Sequence, residues 1–349
     1  MKKEKLMILG AAKFTVPLIE LAKQMGFETL VVSIAGNYPG FLVADRSYEV
    51  DVRDKETILE IARKEGISGI VTDQTDLPVP TIAYVAEKMG LPGIGYECAM
   101  RITNKLMCRK HCQRIGFPVP AFYHASTLEE ARKGAMEIGF PLVVKPTDSM
   151  AARGVSRVNN LAELERKFKN GLANSTSRVV LLEEYFQGKK IILTGFIADY
   201  KFTNLILADH KHFDIPDLFI VRQTTVPSNL DQKLQKKILE LNTRLFESFG
   251  ARFGIAFSEF KVNEESGEVS LMEAALPQHG SLKVGQAGIG LSPSCSLQFR
   301  RRSPVARRRR SRQAFHADAG PRTAPANRPR AGAACRHLRS RKPPRPGSG

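Results

Sequence analysis

The chain has 349 residues, a formal net charge of +18 and no Trp. Its hydrophobic fraction of 42% and charged fraction of 25% are ordinary for a globular chain, which excludes fibrous, collagen-like and wholly disordered classes. The charge is unevenly spread. Residues 300–349 hold 15 Arg, one Lys and one Asp, whereas residues 1–299 hold 37 Lys and Arg against 34 Asp and Glu. A nucleic-acid footprint is therefore confined to the tail.

The first hundred residues alternate strand and helix. LMILG reads as a buried strand with Gly10 at a tight turn, and a helix follows with Leu18, Leu21, Ala22 and Met25 at helical spacing. TLVVSI is a second strand, residues 55–65 a helix, GIVTD a strand, and Val79, Ile82 and Val85 mark another helix. This alternation predicts a doubly wound parallel sheet. Thr103 is the expected N-cap of the next helix and Gly116 its stop. PVPAF then forms a stiff linker into a new unit. There, Ser126 or Thr127 caps a helix with Glu129 or Glu130, PLVVKP is a strand, DSMAARGV a loop, Asn160 a cap and VVLLEEYF a strand. Residues 191–197 and 201–208 read as a hairpin. Leu230, Leu234, Ile238, Leu241, Leu245 and Phe249 mark a long helix, with Ser228 and Asp231 as its expected capping pair and Gly250 as its end. FGIAFSEFKV and VSLMEAA complete the body as two strands.

The composition then changes. Arg, Ala, Pro and Gly fill 35 of the 50 positions from 300 to 349. Such a segment cannot bury a core and is expected to be disordered. Its dominant residues share GC-rich codons, so an out-of-frame reading is the favoured origin and an evolved basic arm the alternative. The cysteines, Cys98, Cys108, Cys112, Cys295 and Cys335, are few and odd in number, which fits a reducing cytoplasm rather than a disulfide framework. No apolar run has the length of a membrane span.

The final two strands carry the sharpest chemical signal. A three-residue loop Glu265-Ser266-Gly267 is a common hairpin solution. It would set Glu264 opposite Glu268 and Glu259 opposite Glu273. Opposed Cβ atoms lie about 4.5–5.5 Å apart, and like charges there are destabilising. A hard divalent cation resolves the conflict, and oxygen ligands with a phosphate partner suit Mg²⁺. The competing reading is a slipped register with one Glu in solvent. Lys145 ends a strand before a loop with Ser149 and Gly154, whose N–H groups could cradle phosphate oxygens. Lys105 sits in a helix's first turn, where a cation opposes the dipole and hints at a bound anion. Cys108, His111 and Cys112 share one helical turn but lack a second ligand pair, so a partly buried helix is favoured over zinc. His210 and His212 alternate on a strand or turn. Asp73 and Asp76 follow a parallel strand, where open sheets place ligands.

The ordered set GFPLVVKPTDSMAARGVSRV, VVLLEEYFQG and FSEFKV…VSLMEAA, preceded by TNK and GFPVPAF, resembles the ATP-grasp superfamily. The likeness is to carboxylate–amine ligases of the biotin-carboxylase and carbamoyl-phosphate-synthetase type, over about residues 5–275. It implies a preceding Rossmann-like domain at 1–117, a two-lobed α+β ATP-grasp domain at 118–275 with lobes of about 118–183 and 184–275, and an aberrant tail at 276–349. It implies ATP and Mg²⁺, with Mn²⁺ as a substitute. Lys105 and Lys145 match the phosphate-contacting lysines, and the 149–155 loop with Ser149 and Gly154 matches the flap. Glu183, Glu184 and Tyr185 match the adenine-reading stretch, and Glu259 and Glu273 the metal ligands.

The implied reaction is phosphorylation of a small carboxylate to an acyl phosphate, then displacement of phosphate by an amine or thiol. The implied partners are those small molecules, with no membrane, nucleic acid only through a genuine tail, and a homodimer left open. Three departures stand out. The flap keeps only Gly154, Lys190 stands where the family has a ribose-binding Glu, and Ala275 and Pro277 stand where Asn and Arg are usual. An impaired ligase, or a module that holds nucleotide without turnover, is the resulting expectation. Limited trypsin digestion is expected to remove the Arg-rich tail first; a tail that stays protected with the body overturns that reading.

Overall fold

The computed structural model describes residues 3–276, apart from Gln74, Ala151 and residues 214–220. The segments expected to form the tail and the region around Pro277 lie outside the described residues.

Four short strands, β1 (Lys5–Leu9), β2 (Glu28–Ser33), β3 (Arg46–Glu49) and β4 (Gly69–Val71), form a parallel sheet in the order β3-β2-β1-β4. Met7, Ile8, Leu9, Leu30, Val31 and Val32 are inaccessible to solvent, as strands covered on both faces require. The covering helices are α1 (Val16–Gln24), α2 (Pro39–Val43), α3 (Lys55–Glu65) and α4 (Val79–Lys88). Strand β3 and helix α2 escaped the sequence reading; both are short, and β3 is mostly exposed.

Helices α5 (Tyr96–Thr103) and α6 (Lys105–Arg114) follow. The expected cap at Thr103 is corrected. Asn104 is the N-cap, its side chain accepting a hydrogen bond from the Met107 N–H, while Thr103 ends the preceding helix and bonds back to the Ala99 carbonyl. A polar residue on either side of a sharp helix–helix junction carries the same capping signal. Gly116 closes α6 with φ +59°.

The second sheet is antiparallel and comprises β5 (Phe122–Ala125), β6 (Leu142–Pro146), β7 (Ser156–Val158) and β8 (Val180–Glu184), in the order β5-β8-β6-β7. Helices α7 (Leu128–Ile138) and α8 (Leu161–Ala173) pack on it. Thr127 and Glu130 form a full capping box on α7, and Asn160 caps α8.

The third sheet has β9 (Lys189–Ala198) at its centre, paired with β10 (Lys201–His212) and β12 (Phe253–Val262). Strands β11 (Val221–Thr225) and β13 (Val269–Ala275) lie outside these, giving β11-β10-β9-β12-β13. Helix α9 (Gln232–Ser248) covers one face. Its N-cap is Asp231, not Ser228; the Ser228 hydroxyl donates to the buried Asp209 carboxylate instead. A single core joins Val79, Cys98, Ile102 and Cys112 to Ile191, Phe246 and Phe260, so helices α4–α6 pack against this sheet. That packing brings the start of α6 beside β13.

Gly195 sits mid-strand in β9, where the Phe202 ring lies over its Cα. A Cβ there would come within 2.3 Å of both the Phe202 ring and the Thr203 carbonyl oxygen. Gly195→Ala is therefore expected to lower stability by about 1–3 kcal/mol, the range for overpacking. A urea midpoint equal to that of the unmodified chain overturns this account of the hairpin.

Candidate active site

Strands β12 and β13 set Glu259 directly opposite Glu273, as the sequence predicts. The route to that register is different. The turn spans four residues: Asn263 N–H donates to the Glu268 carbonyl, Gly267 N–H to the Asn263 carbonyl, and Asn263 Oδ1 accepts from Glu265 and Ser266. Val262 thus pairs with Val269, and Glu264 does not face Glu268. A bulge that leaves Met272 without a cross-strand partner restores the register, so that Glu259, Ser258 and Phe257 face Glu273, Ala274 and Ala275.

The two carboxylates differ in setting. The Glu259 side chain is 15% exposed and ion-paired with Lys190 at 2.6 Å. The Glu273 side chain is 44% exposed, with Lys105 at 3.9 Å. Burial pushes the Glu259 carboxyl above its ordinary range and Glu273 pushes it the same way, while Lys190 opposes them. Two opposed carboxylates in such a place fit a hard divalent cation that takes its remaining oxygens from phosphate and water.

Lys145 leaves the end of β6 and is buried. Its ammonium lies 2.6 Å from Glu183 on β8. Burial depresses its pKa, with Arg109 and Lys105 adding to the effect and Glu183 opposing it. Glu183 also accepts from Arg109 Nε at 2.6 Å, and the same guanidinium donates to the Met272 carbonyl at 2.6 Å. Burial alone would raise the Glu183 pKa, but the two cations hold it below the ordinary carboxylate range. Arg109 was missed in the sequence. Its signal was available: it lies four residues after Lys105, on the same helical face.

Lys105 is the first residue of α6, and its ammonium donates to the Ser149 carbonyl at 2.7 Å. Gly154, between β6 and β7, has φ +74° and packs against Pro146 and Asn174. Glu184 is exposed at the end of β8. The Tyr185 ring has Arg157 on it at 4.2 Å and Lys261 at 4.4 Å. Burial lowers the Lys261 pKa to about 8, with Lys190 and Arg157 acting in the same sense. A cavity of about 500 Å³ has Asp76, Lys105, Ser149, Arg153 and Glu273 in its walls. Asp76, after β4, has its pKa raised by burial and by Glu273. The structure thus brings Lys105, Ser149 and Glu273 to one cavity. Glu183 joins Lys145 instead, and Tyr185 joins Lys261.

The cysteine and histidine candidates on α6 have ordinary settings. Cys108 and Cys112 are buried in α6, and His111 stacks on Phe249 while bonding Ser248. No group of three or more His, Cys, Asp or Glu that could hold a metal ion occurs among the described residues. No helix among them is long and apolar enough to cross a membrane.

The family model described as D-ala D-ala ligase C-terminus matches residues 98–277. The chain belongs to that family. It is an ATP-grasp protein of the carboxylate–amine ligase type, as the motif order implies. Among curated relatives, it is 27% identical over 296 residues to the formate-dependent phosphoribosylglycinamide formyltransferase of Sulfurisphaera tokodaii, covering 83% of this chain and 74% of the relative. The enzyme of the same description from Wolinella succinogenes is 29% identical over 216 residues, covering 61% and 53%. An ADP complex of N5-carboxyaminoimidazole ribonucleotide synthetase superposes with a TM-score of 0.67 at 18% identity, covering 80% of this chain and 71% of that one. The biotin carboxylase domain of Hydrogenobacter thermophilus 2-oxoglutarate carboxylase, complexed with MgADP and bicarbonate, gives 0.65 at 20% identity, covering 80% and 65%. These likenesses establish the fold.

Removing one partner of the buried Arg109–Glu183–Lys145 cluster leaves an uncompensated charge. Arg109→Met is expected to cost about 3–5 kcal/mol, the range for breaking a buried ion pair. A thermal unfolding curve unchanged by this substitution overturns the account.

Proposed function

We propose that the chain is an ATP- and Mg²⁺-dependent ligase that activates a small carboxylate as an acyl phosphate and passes the acyl group to an amine or thiol. The observation that carries this reading is the facing of Glu259 and Glu273 across one hairpin, with the cavity and Lys105 beside Glu273. Glu259 and Glu273 would hold Mg²⁺, which when bound would offset the negative charge of the phosphates. Lys105 and Lys145 contribute point charges to the same phosphates. Ser149 and Gly154 would contribute from the segment that follows β6. Glu184 and Tyr185 lie at the edge that meets the base. Glu183 works one step back, holding the Lys145 ammonium in place through a 2.6 Å ion pair.

The protein's task in such a reaction is positioning. The attacking carboxylate oxygen must lie about 3–3.5 Å from the γ-phosphorus and in line with the leaving oxygen. The wall formed by Asp76, Arg153 and the start of α6 is where a carboxylate could reach that point from outside the nucleotide. The two curated relatives named above are described as formate-dependent phosphoribosylglycinamide formyltransferases, so formate is the first carboxylate to offer this chain.

Glu273→Gln replaces a carboxylate by an amide of the same shape. It is expected to weaken Mg²⁺–ATP binding about tenfold or more, since each 1.4 kcal/mol corresponds to a factor of ten. Isothermal titration of both chains checks this. Equal Mg²⁺–ATP affinities overturn the metal assignment, and the absence of ATP binding by the unmodified chain overturns the functional reading.

A further inference from the structure

Next to the opposed glutamates stands a second pair of like charges. In the β9–β12 register Lys190 faces Lys261 directly, one alternation along the strands from Glu259. Like charges so placed repel, just as the two glutamates do. The two lysines are relieved differently. Lys261 donates to the Phe186 carbonyl at 2.7 Å and lies over the Tyr185 ring. Lys190 lies 2.6 Å from Glu259 Oε2 and 3.3 Å from His212 Nε2. Among the described residues Glu259 is the carboxylate within ion-pair distance of Lys190. The two side chains are only 21% and 15% exposed, so solvent screens the pair weakly.

We propose that Lys190 is a resident cation that competes with the divalent metal for Glu259, so that metal binds well only when a nucleotide supplies a new anion or acceptor for the displaced ammonium. This inference rests on the proposed function for the identity of that nucleotide. The argument is one of charge. The hairpin forces two carboxylates together, and one cation is needed between them. Lys190 already supplies that charge to Glu259, whereas Glu273 is held only at 3.9 Å by Lys105. A metal entering alone displaces Lys190 and leaves it facing Lys261 with no carboxylate. A metal arriving with nucleotide brings oxygens that can receive the ammonium. Metal and nucleotide affinities are then coupled through one side chain, and linkage makes the coupling reciprocal.

The test uses the full chain and Mn²⁺ as the probe, with free Mn²⁺ followed by electron paramagnetic resonance, with and without ADP. Lys190→Met removes the competing charge and keeps the aliphatic stem. It is expected to bind Mn²⁺ alone about tenfold more tightly than the unmodified chain, the size of a 1.4 kcal/mol competitor. ADP should then improve Mn²⁺ binding by a smaller factor in the variant than in the unmodified chain. Lys190→Arg keeps the charge and should behave like the unmodified chain. Circular dichroism of all three controls for folding. Mn²⁺ affinities without ADP that are equal, too weak to measure in both chains, or lower in Lys190→Met overturn the proposal. Mn²⁺ binding that ignores ADP in every chain counts against the nucleotide reading, while the comparison without ADP still decides the role of Lys190.

Discussion

A guanidinium buried between three chain segments holds the site together. Arg109 reaches from α6 to Glu183 on β8 and to the Met272 carbonyl on β13, and Glu183 in turn holds Lys145 on β6. Each of these charged groups would be costly if buried alone, because desolvation disfavours the ionised form. Together they satisfy one another, and the geometry that satisfies them is narrow. Arg109 offers donors in a rigid fork, which a lysine could not reproduce. Its bond to the Met272 carbonyl uses a group freed by the bulge, so one side chain ties Lys145 to the segment that sets the position of Glu273. Buried ion pairs are weak evidence for stability in general. Here the cluster couples Lys145 on β6 to the carboxylate hairpin.

The same elements show why some of the site was legible in the sequence. The strands β12 and β13 fall where alternation puts them, and Glu259 does face Glu273. The agreement came through two compensating differences, a four-residue turn and a bulge at Met272. Periodicity reports which residues share a face, but turn length and bulges are set by hydrogen bonds to Asn263 and by Arg109, which no local pattern reports. The caps tell a related story. Thr127, Glu130 and Asn160 were legible because a capping residue stands three positions before a first-turn Glu at each helix start. At Thr103 and Ser228 the expected cap is committed elsewhere, Thr103 to the Ala99 carbonyl and Ser228 to the Asp209 carboxylate, and the cap passes to Asn104 and Asp231. Glu183 and Arg109 were hidden for a different reason. Their roles depend on contacts 74 residues apart.

The cavity is assembled from segments that share no local signal. Asp76 follows the last parallel strand, at the edge where open α/β sheets bind ligands. Lys105 begins a helix, Ser149 and Arg153 follow β6, and Glu273 comes from the edge strand of the third sheet. What joins them is the shared core of α4–α6 with β9, β12 and α9. A helix start is brought against a sheet edge because Cys98, Ile102 and Cys112 find their apolar partners on that sheet, not because of any attraction between Lys105 and Glu273 across 3.9 Å. Hydrophobic burial places the charged groups, and the charges then decide what can enter.

That division of labour explains the pattern on the third sheet. Ile191, Leu193, Phe260 and Val262 alternate inward to the core and contribute the burial that keeps β9 and β12 in register. The alternate positions hold Lys190, Glu259 and Lys261, which repel or attract in ways the register alone would not choose. Two like-charge pairs side by side are unfavourable separately, yet each holds the counter-charge of the other. The Lys190–Glu259 contact satisfies one member of each pair and leaves Glu273 facing the cavity with Lys105 at a distance. A sheet optimised for stability alone would place a neutral residue at one of these positions. With all four kept charged, Lys190 pairs closely with Glu259 and Glu273 is left at the cavity wall with Lys105 3.9 Å away, so that its carboxylate is the more open of the two.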